Sequence, residues 1–287
     1  TTLVLAARAR LWLAPAMNHL MWAHAAVQAN WQTLRDRGAR ALGPADGDQA
    51  CGETGPGRML EPSAIAAALL AAGARLAGKR FVVTAGPTFE ALDPVRFIGN
   101  RSSGRMGFAL AEALAEAGAT VDLVAGPVQL ATPAGVSRTD VRSALEMREA
   151  VLARLPADGF VSVAAVADYR PAEISAEKIK RNGEPMTLEL MPNPDIVAEV
   201  ATSSPRPFTV GFAAETCNVA EHARAKLAAK RLDLIAANHV GHDRGFDACD
   251  NELVVYSTSD EWALGRASKL ELARRLVAII AERLEAD

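Results

Sequence analysis

The sequence predicts a doubly wound α/β fold on a mostly parallel sheet, preceded by a partial α/β segment. Short apolar runs rich in Val, Ala and Ile recur from Phe81 onward, continuous rather than alternating, as in strands buried on both faces. Helical patterns separate them, so strand and helix alternate. A long glycine- and serine-bearing stretch, Ala85 to Gly107, joins the first of these runs to the first of these helices.

Taken in order, Leu11–Ala14 reads as a strand ending at Pro15-Ala-Met-Asn18, and His19–Arg37 as a helix stopped by Gly38. Gly43–Arg58 carries Gly43, Gly47, Gly52, Gly55 and Gly57 and reads as a loop. Ser63–Ala72 is a helix ended by Gly73, and Gly73–Lys79 a linker. The strands of the second part are Phe81–Gly86, Thr120–Gly126, Phe160–Ala167, Phe208–Ala213, Leu232–Ala237 and Glu252–Ser257. Its helices are 104–117, 143–155, 194–202, 218–231 and 267–284. Ser143 with Glu146 and Asn218 with Glu221 read as capping boxes, and Asn193 as a cap before Pro194 at the first helical position. The expected division is 1–78 and 79–287, since 287 residues favour two domains.

Half the residues are hydrophobic, 23% are charged and the net charge is −3, which points to no nucleic acid and no anionic membrane as partner. Any phosphate binding must be local. No apolar run approaches a membrane span. Cys51, Cys217 and Cys249 are odd in number and far apart, as in a reduced, cytoplasmic protein. The histidines have no zinc-like spacing with them, and His239 and His242 read as loop residues. Arg8 and Arg10 interrupt the apolar start, so it does not read as a signal peptide. A start without Met, inside an element, raises the expectation of a fragment.

A strand, a loop with Ser102, Ser103, Gly104 and Gly107, and a helix start form a place for an anion. Backbone N–H groups there lack partners in their own helix, and the helix dipole favours negative charge. The G-x-G-x-x-G spacing of dinucleotide enzymes is absent, and no Tyr-x-x-x-Lys pair follows. Asp168, just past a buried run, suits a phosphate-borne Mg²⁺, and the basic stretch Glu177–Arg181 can reach a triphosphate. Asn193–Val197 is another helix start, and Lys226 and Lys230 share a helical face at i, i+4. A nucleoside triphosphate is the simplest ligand that needs all four sites. A nicotinamide oxidoreductase and a non-catalytic nucleotide-binding module remain as alternatives.

Thr84-Ala-Gly-Pro-Thr, Leu92-Asp-Pro-Val-Arg-Phe-Ile-Gly-Asn-Arg-Ser-Ser-Gly, Ala164-Ala-Val-Ala-Asp-Tyr, Glu177-Lys-Ile-Lys, Asn193-Pro-Asp and Val210-Gly-Phe-Ala-Ala-Glu-Thr, in that order, resemble the phosphopantothenate–cysteine ligase family. Pro15-Ala-Met-Asn and Ala50-Cys-Gly-Glu-Thr-Gly-Pro-Gly-Arg-Met resemble the end of phosphopantothenoylcysteine decarboxylases. The whole looks like the bifunctional coenzyme A biosynthesis family, with a Rossmann-like ligase domain after a partial flavoprotein-type segment. The resemblance implies CTP-dependent joining of 4′-phosphopantothenate to cysteine with Mg²⁺. It implies FMN in the full-length decarboxylase domain but not in this chain, whose decarboxylation is expected to be lost because the upstream His of that family is not among its residues.

By the same resemblance Asn100 stabilises the acyl cytidylate or its transition state, and Lys178 contacts the triphosphate. Ser162, Val163, Ala164, Asp168, Pro194, Asp195, Ile196, Val197, Phe212, Lys226 and Lys230 match CTP-contacting positions. Asp168 meets the metal directly or through water. Gly86, Ser102, Ser103, Gly104, Gly107 and Ala165 fall to phosphate or phosphopantothenate. In the decarboxylase segment Asn18 would bind the substrate carboxylate and Cys51 would reprotonate the enethiolate. Arg105 stands where the family usually has Lys, and Cys217 where a more polar residue is common. A homodimer through the ligase domain, and a larger homo-oligomer for the full-length protein, are the expected assemblies.

Overall fold

The computed structural model describes residues 2–6, 11–49, 52–181, 183–215, 218–239 and 250–286. The chain folds as two compact units, Thr1–Gly73 and Ala74–Asp287.

The first unit runs α1 (Thr2–Ala6), β1 (Trp12–Leu13), α2 (His19–Ala23), α3 (Ala25–Asp36), β2 (Arg40–Ala41), β3 (Ala45–Asp48), β4 (Thr54–Arg58) and α4 (Pro62–Gly73). β1 pairs with β2 in parallel. The expected helix 19–37 is broken at His24, whose extended backbone ends α2 and whose imidazole accepts from Ala26 N at 3.2 Å to start α3. The expected loop 43–58 is largely an antiparallel hairpin, β3 with β4. Gly57 allows it, because a Cβ there would sit 2.3 Å from the Met17 carbonyl oxygen. Among the residues of this unit whose burial is described only Leu42 and Gly57 are buried, and Leu5, Leu20 and Met21 stand exposed.

The second unit runs β5 (Arg80–Ala85), β6 (Phe89–Ala91), β7 (Phe97–Gly99), α5 (Arg105–Glu116), β8 (Thr120–Ala125), β9 (Val136–Asp140), α6 (Ala144–Leu152), β10 (Gly159–Ser162), β11 (Tyr169–Pro171), β12 (Leu190–Pro192) and α7 (Ile196–Ala201). It continues through β13 (Phe208–Glu215), α8 (Val219–Ala229), β14 (Leu234–His239), β15 (Asp250–Tyr256), β16 (Glu261–Ser268) and α9 (Lys269–Ala286). Eight strands form one sheet in the order β16-β15-β14-β13-β10-β5-β8-β9. From β14 to β9 every pairing is parallel, while β15 pairs antiparallel with both β14 and β16.

Phe81, Val82 and Val83 are fully buried, which explains their continuous apolar run. Residues of α5 and α9 pack on one face of the sheet and those of α6, α7 and α8 on the other. The chain winds outward through β5, β8 and β9, then crosses β5 to continue with β10. The switch point, where such sheets open a crevice, therefore lies between β5 and β10.

Several expectations need correction. Ala74–Lys79 is not a free linker: Leu76 is 1% exposed, and its N–H donates to Ala117 O at 2.9 Å. The edge strands β9 and β16 escaped the sequence reading because half-exposed strands carry polar residues such as Ser137 and Arg266. His239 ends β14 rather than lying in a loop, while His242 falls outside the described residues. Only half of the expected capping box at Ser143 forms: Glu146 N donates to Ser143 Oγ at 3.2 Å, but the Glu146 carboxylate accepts from Arg142 N at 2.7 Å, one residue before the cap. Asn218 instead adopts φ +48 and gives no side-chain cap. Asp195, not Asn193, caps α7 by accepting from Ala198 N at 3.1 Å, so Pro194 precedes the helix.

Candidate active site

Two threonines decide where β10 ends. Its last ladder pair is Ser162 with Thr84. Thr84 Oγ1 then accepts from Val163 N at 3.2 Å and Ala164 N at 3.3 Å, and Thr88 Oγ1 from Ala167 N at 2.9 Å. Side-chain oxygens thus replace strand partners, and the chain peels off the sheet with its amides satisfied. The expected strand Phe160–Ala167 is therefore half strand and half rim.

That rim opens on a cavity of about 590 Å³ over the carboxyl ends of the strands at the switch point. Asn100, Ser102, Ser103, Gly104 and Gly107 line it from the β7–α5 connection, and Ser162 to Ala165 with Asp168 from the end of β10. Pro194, Asp195, Ile196 and Val197 line it at α7, Phe212 on β13, and Lys226 and Lys230 on α8. Positions far apart in sequence thus meet in one volume.

On the α5 flank, Gly104 takes φ +73 and no side chain caps the helix. Its N–H donates to Ser102 Oγ at 3.3 Å, and α5 presents its opening amides toward an anion. Gly107 serves packing as well: a Cβ there would lie 2.5 Å from that of Ala85, so glycine lets α5 approach β5. Gly86 is not among the cavity-lining residues; its carbonyl accepts from Ala165 N at 2.9 Å and holds the rim.

On the other flank Lys226 Nζ donates to Phe212 O at 3.1 Å, and Lys230 Nζ lies 2.8 Å from Asp195 Oδ2. Asp195 thus places a carboxylate at the start of α7, which corrects its expected role as a second anion-binding helix start. The basic groups lining the cavity are Arg105, Lys226, Lys230 and Lys269; the acidic ones are Asp168 and Asp195. Excess positive charge suits a polyanion although the whole chain is acidic.

Asn100 follows β7 and donates to Val166 O at 3.0 Å, with Ala165 O farther off at 3.5 Å. An Asn amide has two N–H donors, so the shorter bond fixes the group and the other donor can turn to a reacting oxygen. Asp168 is exposed at the rim, its carbonyl accepting from Asn193 N at 2.8 Å. Asn193 also donates to Ala167 O at 2.8 Å and accepts from Arg170 at 3.0 Å, so it organises the rim instead of capping a helix.

Lys178 does not line the cavity. It stands exposed on the segment between β11 and β12. Its neighbour Ile179 is clasped on both sides: its N–H donates to Asp93 at 3.1 Å, and its carbonyl accepts from Arg96. Burial alone would raise the Asp93 pKa, but the amides of Val95, Arg96 and Ile179 and the Arg96 guanidinium hold it well below the usual carboxylate range. Asn18 belongs to the first unit, where its oxygen caps α2 by accepting from Leu20 N at 2.9 Å and its amide donates to Glu53 at 2.5 Å. Cys51 and Cys217 lie outside the described residues.

Sequence reasoning passed over Asn238, Leu253 and Lys269, which also line the cavity. Asn238 could have been found by the rule that residues near the carboxyl end of a parallel strand face the ligand. Leu253 offers no comparable signal.

Comparison with known proteins places this architecture among relatives. Residues 76–284 match the family described as DNA/pantothenate metabolism flavoprotein C-terminal domain, and residues 1–72 match Flavoprotein. The chain is 50% identical to the coenzyme A biosynthesis bifunctional protein CoaBC of Vibrio cholerae, over 99% of this chain and 73% of that protein. It is 46% identical to CoaBC of Escherichia coli, over 99% of this chain and 72% of that one. The crystal structure of the C-terminal domain of a CoaBC superposes with a TM-score of 0.65 at 38% identity, covering 75% of this chain and all of that domain. A Cab2 mutant in complex with phosphopantothenate-cysteine shares the fold with a TM-score of 0.62 at 17% identity, over 79% and 96% of the two chains.

Proposed function

This chain belongs to the coenzyme A biosynthesis bifunctional family, and from that premise we propose that its second unit joins 4′-phosphopantothenate to cysteine with CTP. A carboxylate oxygen of phosphopantothenate attacks the α-phosphorus of CTP, and the bond to the β-phosphate oxygen breaks, releasing pyrophosphate. The cysteine amine then attacks the acyl carbon of the cytidylate, loses a proton, and CMP leaves. The obstacle is bringing two anions together, so positioning and charge neutralisation supply most of the rate.

The single observation that carries this reading is the two-flanked cavity. It has an uncapped helix start and Ser102, Ser103 and Gly104 on one side, and Lys226 and Lys230 on the other. Asn100, fixed by Val166, is suited to donate to the oxyanion that forms as the acyl carbon is attacked. Ser162 to Ala165, Pro194 to Val197 and Phe212 form walls for the nucleoside and acyl parts. Lys178 reaches the triphosphate only if its segment carries it to the rim.

Among the described residues no group of three His, Cys, Asp or Glu could hold a metal ion by itself. Asp168, an exposed carboxylate at the rim, suits Mg²⁺ that keeps phosphate and water ligands. The ion would neutralise charge on the departing pyrophosphate. Of the first-unit residues whose burial is described only Leu42 and Gly57 are buried, and these do not enclose a flavin. Neither flavin binding nor decarboxylation by Asn18 and Cys51 is proposed for these 287 residues alone. Steady CO₂ release from phosphopantothenoylcysteine would overturn that.

Val95, Phe97, Tyr169 and Ile174 expose apolar surface around β7 and β11, which supports a homodimer through this unit. Light scattering would measure it. No described helix is long and apolar enough to cross a membrane. A cytoplasmic location remains part of the proposal.

Pyrophosphate release, measured with phosphopantothenate, cysteine and either CTP or ATP, tests the function. Dependence on all three substrates with CTP preferred is the expected result. CTP binding without turnover would leave only a nucleotide-binding module.

A further inference from the structure

Lys269 is the first residue of α9, and Ser268 caps that helix by accepting from Glu271 N at 3.3 Å. A cation at this position opposes the helix dipole, which favours negative charge there. Helix stability therefore gives no reason for lysine. The cavity does: Lys269 lines it, half-buried, together with Asn238 of β14.

Its location is specific. α9 packs on the same face of the sheet as α5, and Lys269 lines the cavity together with Gly104 and Arg105, where α5 starts without a cap. Lys226 and Lys230 come from α8, on the opposite face. A ligation that unites two phosphorylated molecules has to neutralise more than one phosphate cluster, and cations from one face serve one cluster best.

We infer that Lys269 is a substrate-binding residue that places an ammonium on the α5 flank, against a phosphate group also held by the opening amides of α5. The group belongs to the nucleotide or to the phosphorylated acid. The inference rests on the proposed ligation only for naming those two sources. Phosphate binding at this flank can be tested without turnover.

The test compares wild type with Lys269→Met, which keeps the aliphatic stem, and Lys269→Arg, which keeps the charge. Calorimetric titration with inorganic tripolyphosphate is expected to show affinity weakened about tenfold in Lys269→Met and largely restored in Lys269→Arg. Thermal melting of the free variants, read beside the titration, separates a change in the fold from a change in phosphate binding. In steady-state ligation Lys269→Met should raise KM for one phosphorylated substrate and leave KM for cysteine unchanged. The affected substrate identifies the source of the phosphate. Tripolyphosphate affinity within twofold of wild type in Lys269→Met overturns the inference. A wild-type protein that binds tripolyphosphate through Lys269 but does not ligate would instead overturn the proposed function and leave this assignment standing.

Discussion

The side-chain amide of Asn100 donates to the carbonyl of Val166 at 3.0 Å, tying the end of the β6–β7 hairpin to the segment that peels off β10. The residue expected to meet the reacting acyl group is thereby held by the rim of the cavity itself. Asn100→Asp would set a carboxylate against a carbonyl and remove the donor. Ligation should fall by about a hundredfold or more, with CTP binding retained. Asn100→Ala, which brings no repulsion, should fall comparably; wild-type turnover in both would refute the assigned role.

Lys230 and Asp195 can be separated by substitution. Asp195→Asn keeps an oxygen for the α7 cap and releases Lys230 from its partner, so CTP affinity should hold or tighten. Lys230→Met should weaken it about tenfold, the value of one charge-assisted phosphate contact. Asp195→Ala loses the cap as well and should cost about 1 kcal/mol of stability. Equilibrium binding and thermal melting of the three variants read these effects separately.

Gly107→Ala places a methyl 2.5 Å from the Ala85 Cβ, so α5 must move off β5. Overpacking of this kind costs about 1–3 kcal/mol. A lower melting temperature is expected together with weaker tripolyphosphate binding, since the same helix start forms the anion site. An unchanged melting temperature would mean that the helix yields without cost.

Asp93 gives a pH signature. Its pKa is depressed in the folded protein, so its contribution to stability is present above the ordinary carboxylate pKa and is lost as pH falls through the depressed folded value. Asp93→Asn should therefore melt below wild type at neutral pH, and the gap should narrow in strong acid. A gap independent of pH would show that ionisation of Asp93 is not what holds the turn and Ile179.

Removal of divalent ions by EDTA should abolish ligation without lowering the melting temperature of the free protein. On the proposed reading the metal enters with the nucleotide rather than residing in the free protein. A large loss of stability on chelation would contradict this.

Much of the second unit was legible because its causes are local or periodic. Strands buried on both faces must be continuously apolar, and Phe81–Val83 read as such. Ser143 and Glu146 are close enough in sequence to announce their own cap. The ordered motifs from Thr84 to Thr216 marked the family without any structure. Edge strands failed this test because solvent on one side permits polar residues, and Asn193 misled because Asp195, two residues on, took the cap.

The sequence by itself determined the α/β class, the excess of anion-binding features in one half of the chain, and the family. Only the tertiary structure decided which of those features share a volume. That depends on strand order, since the reversal between β5 and β10 opens the cavity beside Gly104. It depends equally on long-range pairs such as Lys230 with Asp195 and Thr84 with Val163, whose partners no local pattern names. Lys269 is the clearest case: it looks like ordinary helix decoration until α9 is packed on the face of α5 and the residue joins the cavity wall.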